Sequence, residues 1–154
     1  MQKPAVLAAI LAHLGVELEN LTRGARASFA AATDPDSKAE NKYDTRTLEA
    51  SYVARGQAQR VSEVQSALHA FESLKNQVAG SAIRLGSLLV LEVSGRRDHY
   101  FIGPAEGGIE VSVAGMEVML ITPAAPLGSR LIGREVGDLI SLPSGQQARI
   151  MSLE

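Results

Sequence analysis

The sequence predicts an α+β protein: an N-terminal antiparallel helical hairpin, read as a coiled coil, followed by a small β-rich domain with one short helix. Three observations predict it. Two stretches, 11–28 and 50–78, repeat apolar or small residues alternately three and four apart, the spacing of a coiled-coil seam. A polar stretch, TDPDSKAEN at 33–41, separates them. Beyond residue 81 the pattern changes to short runs punctuated by Gly and Pro, as strands and turns require.

The first seam runs through Leu11, Leu14, Leu18, Leu21, Ala25 and Ser28. The second runs through Ala50, Ala54, Gln57, Val61, Val64, Leu68, Phe71, Lys75 and Val78. Small residues dominate near the break and larger ones far from it. Pro35 disfavours helix at Asp34, and Asp36 or Ser37 can cap a new helix with Glu40 in or near its first turn. The hairpin therefore occupies 1–78, turns at about 33–37 and has its tip within 33–40. On that geometry residue 13 faces roughly 57–60, which keeps His13 and His69 about 15 Å apart and unable to share a metal.

From 74 to 81 the seam pattern fades, and 79–82, with Gly80 and Ser81, reads as a linker. The second domain, 83–154, holds runs at 85–93, 99–102, 109–113, 116–122, 139–142 and 148–153. Gly95, Pro104 with Gly107 and Gly108, Gly137 with Asp138, and Pro143 with Ser144 and Gly145 supply the turns. PLGSRLIG at 126–133 reads as one helix ended by Gly133.

Composition narrows the function. A formal net charge of −2 over 154 residues does not suggest a general nucleic-acid binder. With no cysteine there is no disulfide, thiolate metal site or cysteine nucleophile, and the expected compartment is the cytoplasm. His13 interrupts the apolar start and the helical pattern continues past it, so no cleavable leader is expected. No run is expected to reach the ~20 apolar residues of a membrane helix. Phosphate loops, dinucleotide fingerprints and GxSxG are absent from the sequence.

The densest acidic cluster, Asp34, Asp36 and Glu40, falls at the hairpin tip. Carboxylates are hard ligands of the kind Mg²⁺ takes one or two at a time, so such a tip completes a site on a partner better than it makes one alone. Arg23, Arg26, Lys38, Lys42 and Arg46 surround it, either as a solvated face or as guides for an RNA backbone. Six scattered Tyr and Phe residues offer no stacking platform for single strands.

Residues 125–153, APLGSRLIGREVGDLISLPSGQQARIMSL, resemble the "SPIGRALLGKKVGD" segment of the bacterial Gre-type (GreA/GreB) transcript cleavage factors. Proline, both helix glycines and the Val-Gly-Asp turn match, and Gly86, Tyr100, Ile102 and the 116–122 strand fit too. In the first domain Glu40-Asn41, Tyr43 and YDTRTLEASYVARGQAQRV resemble the family's second helix. The family carries an Asp three residues before the Glu; here that position is Ser37, with Asp36 four before and Asp34 six before. The resemblance covers about 30–154.

It implies an FKBP-like, antiparallel C-terminal domain and an RNA polymerase partner. The hairpin would enter the polymerase's secondary channel and reach the RNA 3′ end. Glu40 and Asp36 would act at the polymerase's active centre on a shared Mg²⁺, with Asp34, Asn41 and Tyr43 supporting them. The protein would be a monomeric co-catalyst of the polymerase's own nuclease, with no metal or cofactor of its own, no independent enzyme activity and no membrane contact. The alternatives are a channel-binding regulator without cleavage, a dimerising helical module and a prolyl isomerase. The last needs an aromatic-lined pocket, whereas Tyr100 and Phe101 are adjacent and so point to opposite strand faces.

Overall fold

Helix α1, Lys3–Thr33, spans 31 residues and begins with Pro4 in its first turn, the position where proline's missing N–H is harmless. The computed structural model describes residues 2–33 and 46–154. Helix α2, Arg46–Glu72, spans 27 residues and carries Glu49 in its first turn, where the helix dipole favours an anion.

The chain forms two compact units: Met1–Ala12 together with His69–Glu154, and His13–Leu68. In the second unit the two helices run antiparallel. Arg60 Nη2 donates to Glu17 Oε1 at 2.7 Å, and the space beside Gly24 is filled by Gln57 Nε2 at 3.6 Å from where a Cβ would stand. Leu14 and Val64 are fully buried, while Leu18, Leu21, Ala25, Ser28, Ala50, Ala54, Gln57 and Val61 are half-buried. The seam lies where the spacing put it, but its register differs. With Glu17 opposite Arg60, residue 13 is level with about residue 64 and not 57–60; the expected turn lies, from residue 34 on, outside the described residues.

The seam does not continue through Lys75 and Val78. Helix α2 ends at Glu72, and tight turns follow: Leu74 N–H donates to Phe71 O at 3.0 Å and Gln77 N–H to Leu74 O at 3.1 Å. These turns bury Leu74 and leave Val78 exposed.

The sheet contains β1 (Leu88–Val93), β2 (Arg96–Ile102), β3 (Glu110–Val113), β4 (Met116–Ile121), β5 (Leu139–Ser141) and β6 (Gln147–Leu153), with α3 (Pro126–Leu131) between β4 and β5. Strand β1 starts three residues later than the apolar pattern suggests. Gly86, with φ of 84°, turns the chain there, and a Cβ on it would lie 2.0 Å from Gln77 Oε1. The β1–β2 and β3–β4 hairpins each turn on two positive-φ residues, Ser94-Gly95 and Ala114-Gly115, the type I′ geometry that matches strand twist.

Strand order is β3-β4-β2-β1-β6-β5. The sheet is mixed, which corrects the antiparallel expectation: β2 and β4 pair in parallel, Tyr100 opposite Met119 and Ile102 opposite Ile121. The seven residues after β2 carry the chain past one strand position, so β3 takes the edge and its hairpin returns β4 into the gap beside β2. Alternation then gives two apolar faces. Leu89, Leu91, Ile102, Ile121, Ile140 and Ile150 form one core with Ile83 and Leu131. Phe101 belongs to the other face and meets Phe71 at a ring-centroid distance of 6.3 Å.

Lys3 ties this unit's first and last segments. Its backbone N–H donates to Glu154 Oε2 at 2.8 Å and its Nζ to Gln77 Oε1 at 3.3 Å. Burial, with help from the Arg84 charge, holds its ammonium pKa below the usual lysine range against the pull of Glu154.

One expectation about α1 is corrected. Residues 3–31 are long and apolar enough, by length and composition, to cross a membrane, because Ala supplies bulk-poor apolar length between few charges. Four of its large apolar residues, Val6, Leu7, Ile10 and Leu14, are at most 3% exposed, whereas Val16 and Phe29 are exposed.

Candidate functional site

The predicted site residues divide sharply. Asp34, Asp36, Lys38, Glu40, Asn41, Lys42 and Tyr43 lie outside the described residues. Arg46 is the first residue of α2. Arg23 and Arg26 are exposed on α1, and Arg23 Nη2 is 3.2 Å from Glu19 Oε1, an exposed pair one turn apart. Such a pair is worth a few tenths of a kcal/mol and leaves Arg23 able to exchange Glu19 for another anion.

The described helices end at Thr33 and restart at Arg46. The Thr33 hydroxyl donates to the Phe29 carbonyl at 2.9 Å, a side-chain back-bond one turn down the helix. At about 1.5 Å per residue α1 and α2 are roughly 46 and 40 Å long, so the acidic connection follows a long pair of helices. Among the described residues no group of three His, Cys, Asp or Glu side chains could hold a metal. His13 and His69 are exposed and His99 is half-buried on β2.

Some exposed residues escaped the sequence reading. Phe29, Leu48, Tyr52 and Val53 are large, apolar and exposed in the outer part of the helical pair, and Arg55 stands over the Tyr52 ring at 5.9 Å from its centroid. Their signal was present: each is an apolar residue off the seam, at a position where a solvated helix would carry a charge.

The motif at 125–138 serves the fold. A Cβ on Gly128 would lie 1.9 Å from the Thr122 carbonyl oxygen, so α3 can approach that strand end only with glycine here. Gly133, with φ of 80°, donates its N–H to Ile83 O at 2.8 Å, and Ile83 returns one to Arg134 O at 2.7 Å. Gly137 N–H donates to Ile150 O at 2.8 Å, and the Asp138 carboxylate accepts the Glu135 N–H at 3.0 Å. Helix end, turn and β5 are thereby fixed in sequence.

The aromatic pair of β2 lines no common pocket. Phe101 is fully buried, whereas Tyr100 packs half-buried on the α3 side. Burial first, then the Asp98 charge, pushes the Tyr100 phenol above its usual range, against the Arg96 charge.

No protein-family model matches the chain, and no curated protein matches it. Among solved structures it is similar to GreA factor homolog 1 (Gfh1) of Thermus thermophilus, with 24% identity over 94% of each chain and a TM-score of 0.39. It is similar to Thermus aquaticus Gfh1, with 21% identity over 100% of this chain and 96% of that one and a TM-score of 0.38. A third is the prokaryotic transcription elongation factor GreA/GreB from Nitrosomonas europaea, 21% identical over 62% of this chain and 90% of that one, with a TM-score of 0.36.

Proposed function

We propose that this chain is a Gre-type transcription elongation factor: it binds RNA polymerase, enters the secondary channel and rescues backtracked complexes by stimulating the polymerase's own RNA cleavage. The observation that carries the reading is the antiparallel pair of long helices, held in register by Arg60 and Glu17 at 2.7 Å, whose connection holds the sequence's densest carboxylate cluster. A slender pair of this length gives reach, and carboxylates at its far turn give something to deliver. The motif at 125–138 supports the same family reading from the other unit.

On this reading the protein is not an enzyme alone. Glu40, with Asp36, completes the ligand set of a Mg²⁺ held by the polymerase, an ion that activates water for hydrolysis. Arg23, Arg26, Lys38, Lys42 and Arg46 line the path of the RNA 3′ end or of the channel wall, and the protein works as a cytoplasmic monomer. A second reading, a channel-binding regulator without cleavage, is favoured by one specific feature: Asp36 stands four residues before Glu40 and not three. At a helix start one residue turns a side chain by about 100°.

The test is a backtracked elongation complex with labelled RNA, at fixed Mg²⁺. Stimulated cleavage that Glu40→Ala and Asp36→Ala abolish is the expected result. Binding to polymerase without cleavage supports the regulator, and no binding at all overturns both.

A further inference from the structure

Two lysines lie among the described residues, Lys3 and Lys75, and their surroundings differ. Lys75 Nζ stands 3.8 Å from a carboxylate oxygen, Glu72 Oε1. Lys3 Nζ instead donates to two oxygens of one residue, Gln77 O at 3.4 Å and Gln77 Oε1 at 3.3 Å. Both are neutral amide oxygens. The carboxylate oxygen nearby, Glu154 Oε2, accepts the Lys3 backbone N–H at 2.8 Å.

The Gln77 amide is fixed in this orientation. Its Nε2 donates to Leu85 O at 2.8 Å, which turns Oε1 toward Lys3. Arg84 is fixed beside it: Nη2 donates to the Val78 carbonyl, and the guanidinium carbon lies 3.4 Å from where a Cβ on Gly80 would stand. The same guanidinium has further N–H donors in the planar fork that binds phosphate oxygens well.

An ammonium brings three donors; a neutral amine brings two and keeps a lone pair. Two neutral acceptors beside a guanidinium therefore suit the amine. Burial first, then the Arg84 charge, lowers the Lys3 pKa against the pull of Glu154, which acts in the same direction. The amine is the form that attacks an acyl carbon. We propose that Lys3 Nζ is a site of N-acylation by acyl phosphates. Arg84 pairs with the donor's phosphate. The Lys3 ammonium loses one proton to water, and the Nζ lone pair forms a C–N bond to the acyl carbon. The carbon–oxygen bond to phosphate breaks, phosphate leaves with that electron pair, and a second Nζ proton passes to it or to water. The product amide keeps one N–H where the amine had two. One Gln77 oxygen then loses its donor, and the tie between the first turn of α1 and residues 77–85 weakens. This chemistry is independent of the tip carboxylates.

The test incubates the full chain with acetyl phosphate at mildly alkaline pH and follows acetylation by mass spectrometry at Lys3, Lys38, Lys42 and Lys75. A neutral donor, p-nitrophenyl acetate, is run in parallel. Lys3 should react several-fold faster than Lys75 with both donors, and the ratio should be larger with acetyl phosphate. Arg84→Gln, checked for unchanged circular dichroism, should lower the acetyl phosphate ratio to that of the neutral donor or below. Amide hydrogen exchange in 77–86 should quicken in the chain acetylated at Lys3. Acetylation of Lys3 no faster than that of Lys75 overturns the proposal. Equal ratios with the two donors, or a ratio that Arg84→Gln leaves unchanged, rule out the phosphate donor, and unchanged exchange rules out the weakened tie.

Discussion

The sheet-bearing unit and the helical unit are stabilised on different scales. In the first, Phe71, Phe101, Leu89, Ile102, Leu120 and Ile150 are each under 2% exposed. In His13–Leu68 the buried apolar residues among those described are Leu14, Val64 and Ala67. Beyond them Leu18, Leu21 and Val61 are half-buried and the outer seam is Ala, Ser and Gln, which bury less area and so contribute less at about 25 cal/mol per Å². The difference teaches that one chain can hold a densely packed core in one unit and a weakly buried helical pair in the other. A thin pair suits a narrow channel on the proposed reading, and low local stability is common in segments that move or bind.

The strongest way to break this comparison is to empty the core of the sheet-bearing unit. Phe71→Ala removes the ring that meets Phe101 at 6.3 Å and should cost about 3–5 kcal/mol. Urea denaturation, followed separately by near-ultraviolet signals of the sheet unit and by helical circular dichroism, reads it. The expected outcome is an early sheet-unit transition. If both signals shift together by the same amount, the two units unfold as one and the contrast fails.

The helical unit can be moved the other way. Nothing lies within 4 Å of a Cβ built on Gly15 or Gly56, and both sit inside helices. Gly15→Ala and Gly56→Ala should each stabilise by about 0.5–1 kcal/mol through helix propensity alone. Hydrogen exchange should then slow in 13–68 and stay constant in β1 to β6. By contrast Gly128, whose Cβ would collide with Thr122 O, accepts no such change.

How much of this was legible in the sequence follows from what each element depends on. The strands and α3 were readable within a few residues because turn chemistry is local: Gly95, Gly133, Gly137 and Gly145 all take positive φ. The seam was readable because Leu14, Val64 and Phe71 repeat at helical spacing. Strand order was not, since β4 entering between β2 and β3 is a long-range choice that no local pattern records. Nor was the seam's register, which depends on where the connection turns. The early end of α2 at Glu72 and the late start of β1 at Leu88 were missed because Leu74 and Gly86 act through tertiary contacts, Leu74 through its burial and Gly86 through the Gln77 side chain. Of the candidate site, Asp34, Asp36, Lys38, Glu40, Asn41, Lys42 and Tyr43 lie outside the described residues, whereas the exposed Phe29, Leu48, Tyr52 and Val53 were signalled by apolar residues off the seam.

A smaller effect sharpens the contrast within the seam. Gln57 Oε1 is buried without a hydrogen-bond partner, a situation that costs about 1–3 kcal/mol relative to a satisfied group. Gln57→Leu should raise the helical unit's stability by about 1 kcal/mol, readable as a later helical transition in urea. Unchanged or lower stability would mean that the amide reaches water or fixes the register, as single polar residues do in coiled coils.

The smallest effect is confined to alkaline pH and to the sheet-bearing unit. Tyr100 is half-buried against the α3-side core, and its phenol pKa is raised above the ordinary value of 10.0 by burial and then by Asp98. Between that value and the folded one the unfolded chain has lost a proton that the folded chain keeps. Stability therefore falls as pH rises through this window, and below it the group contributes no slope. Tyr100→Phe removes the ionisation and should flatten this part of the alkaline decline, so that the variant gains on the wild type only above about pH 10. Urea midpoints of both proteins on either side of that pH give the comparison, and parallel curves would mean the phenol is solvated in the folded sheet.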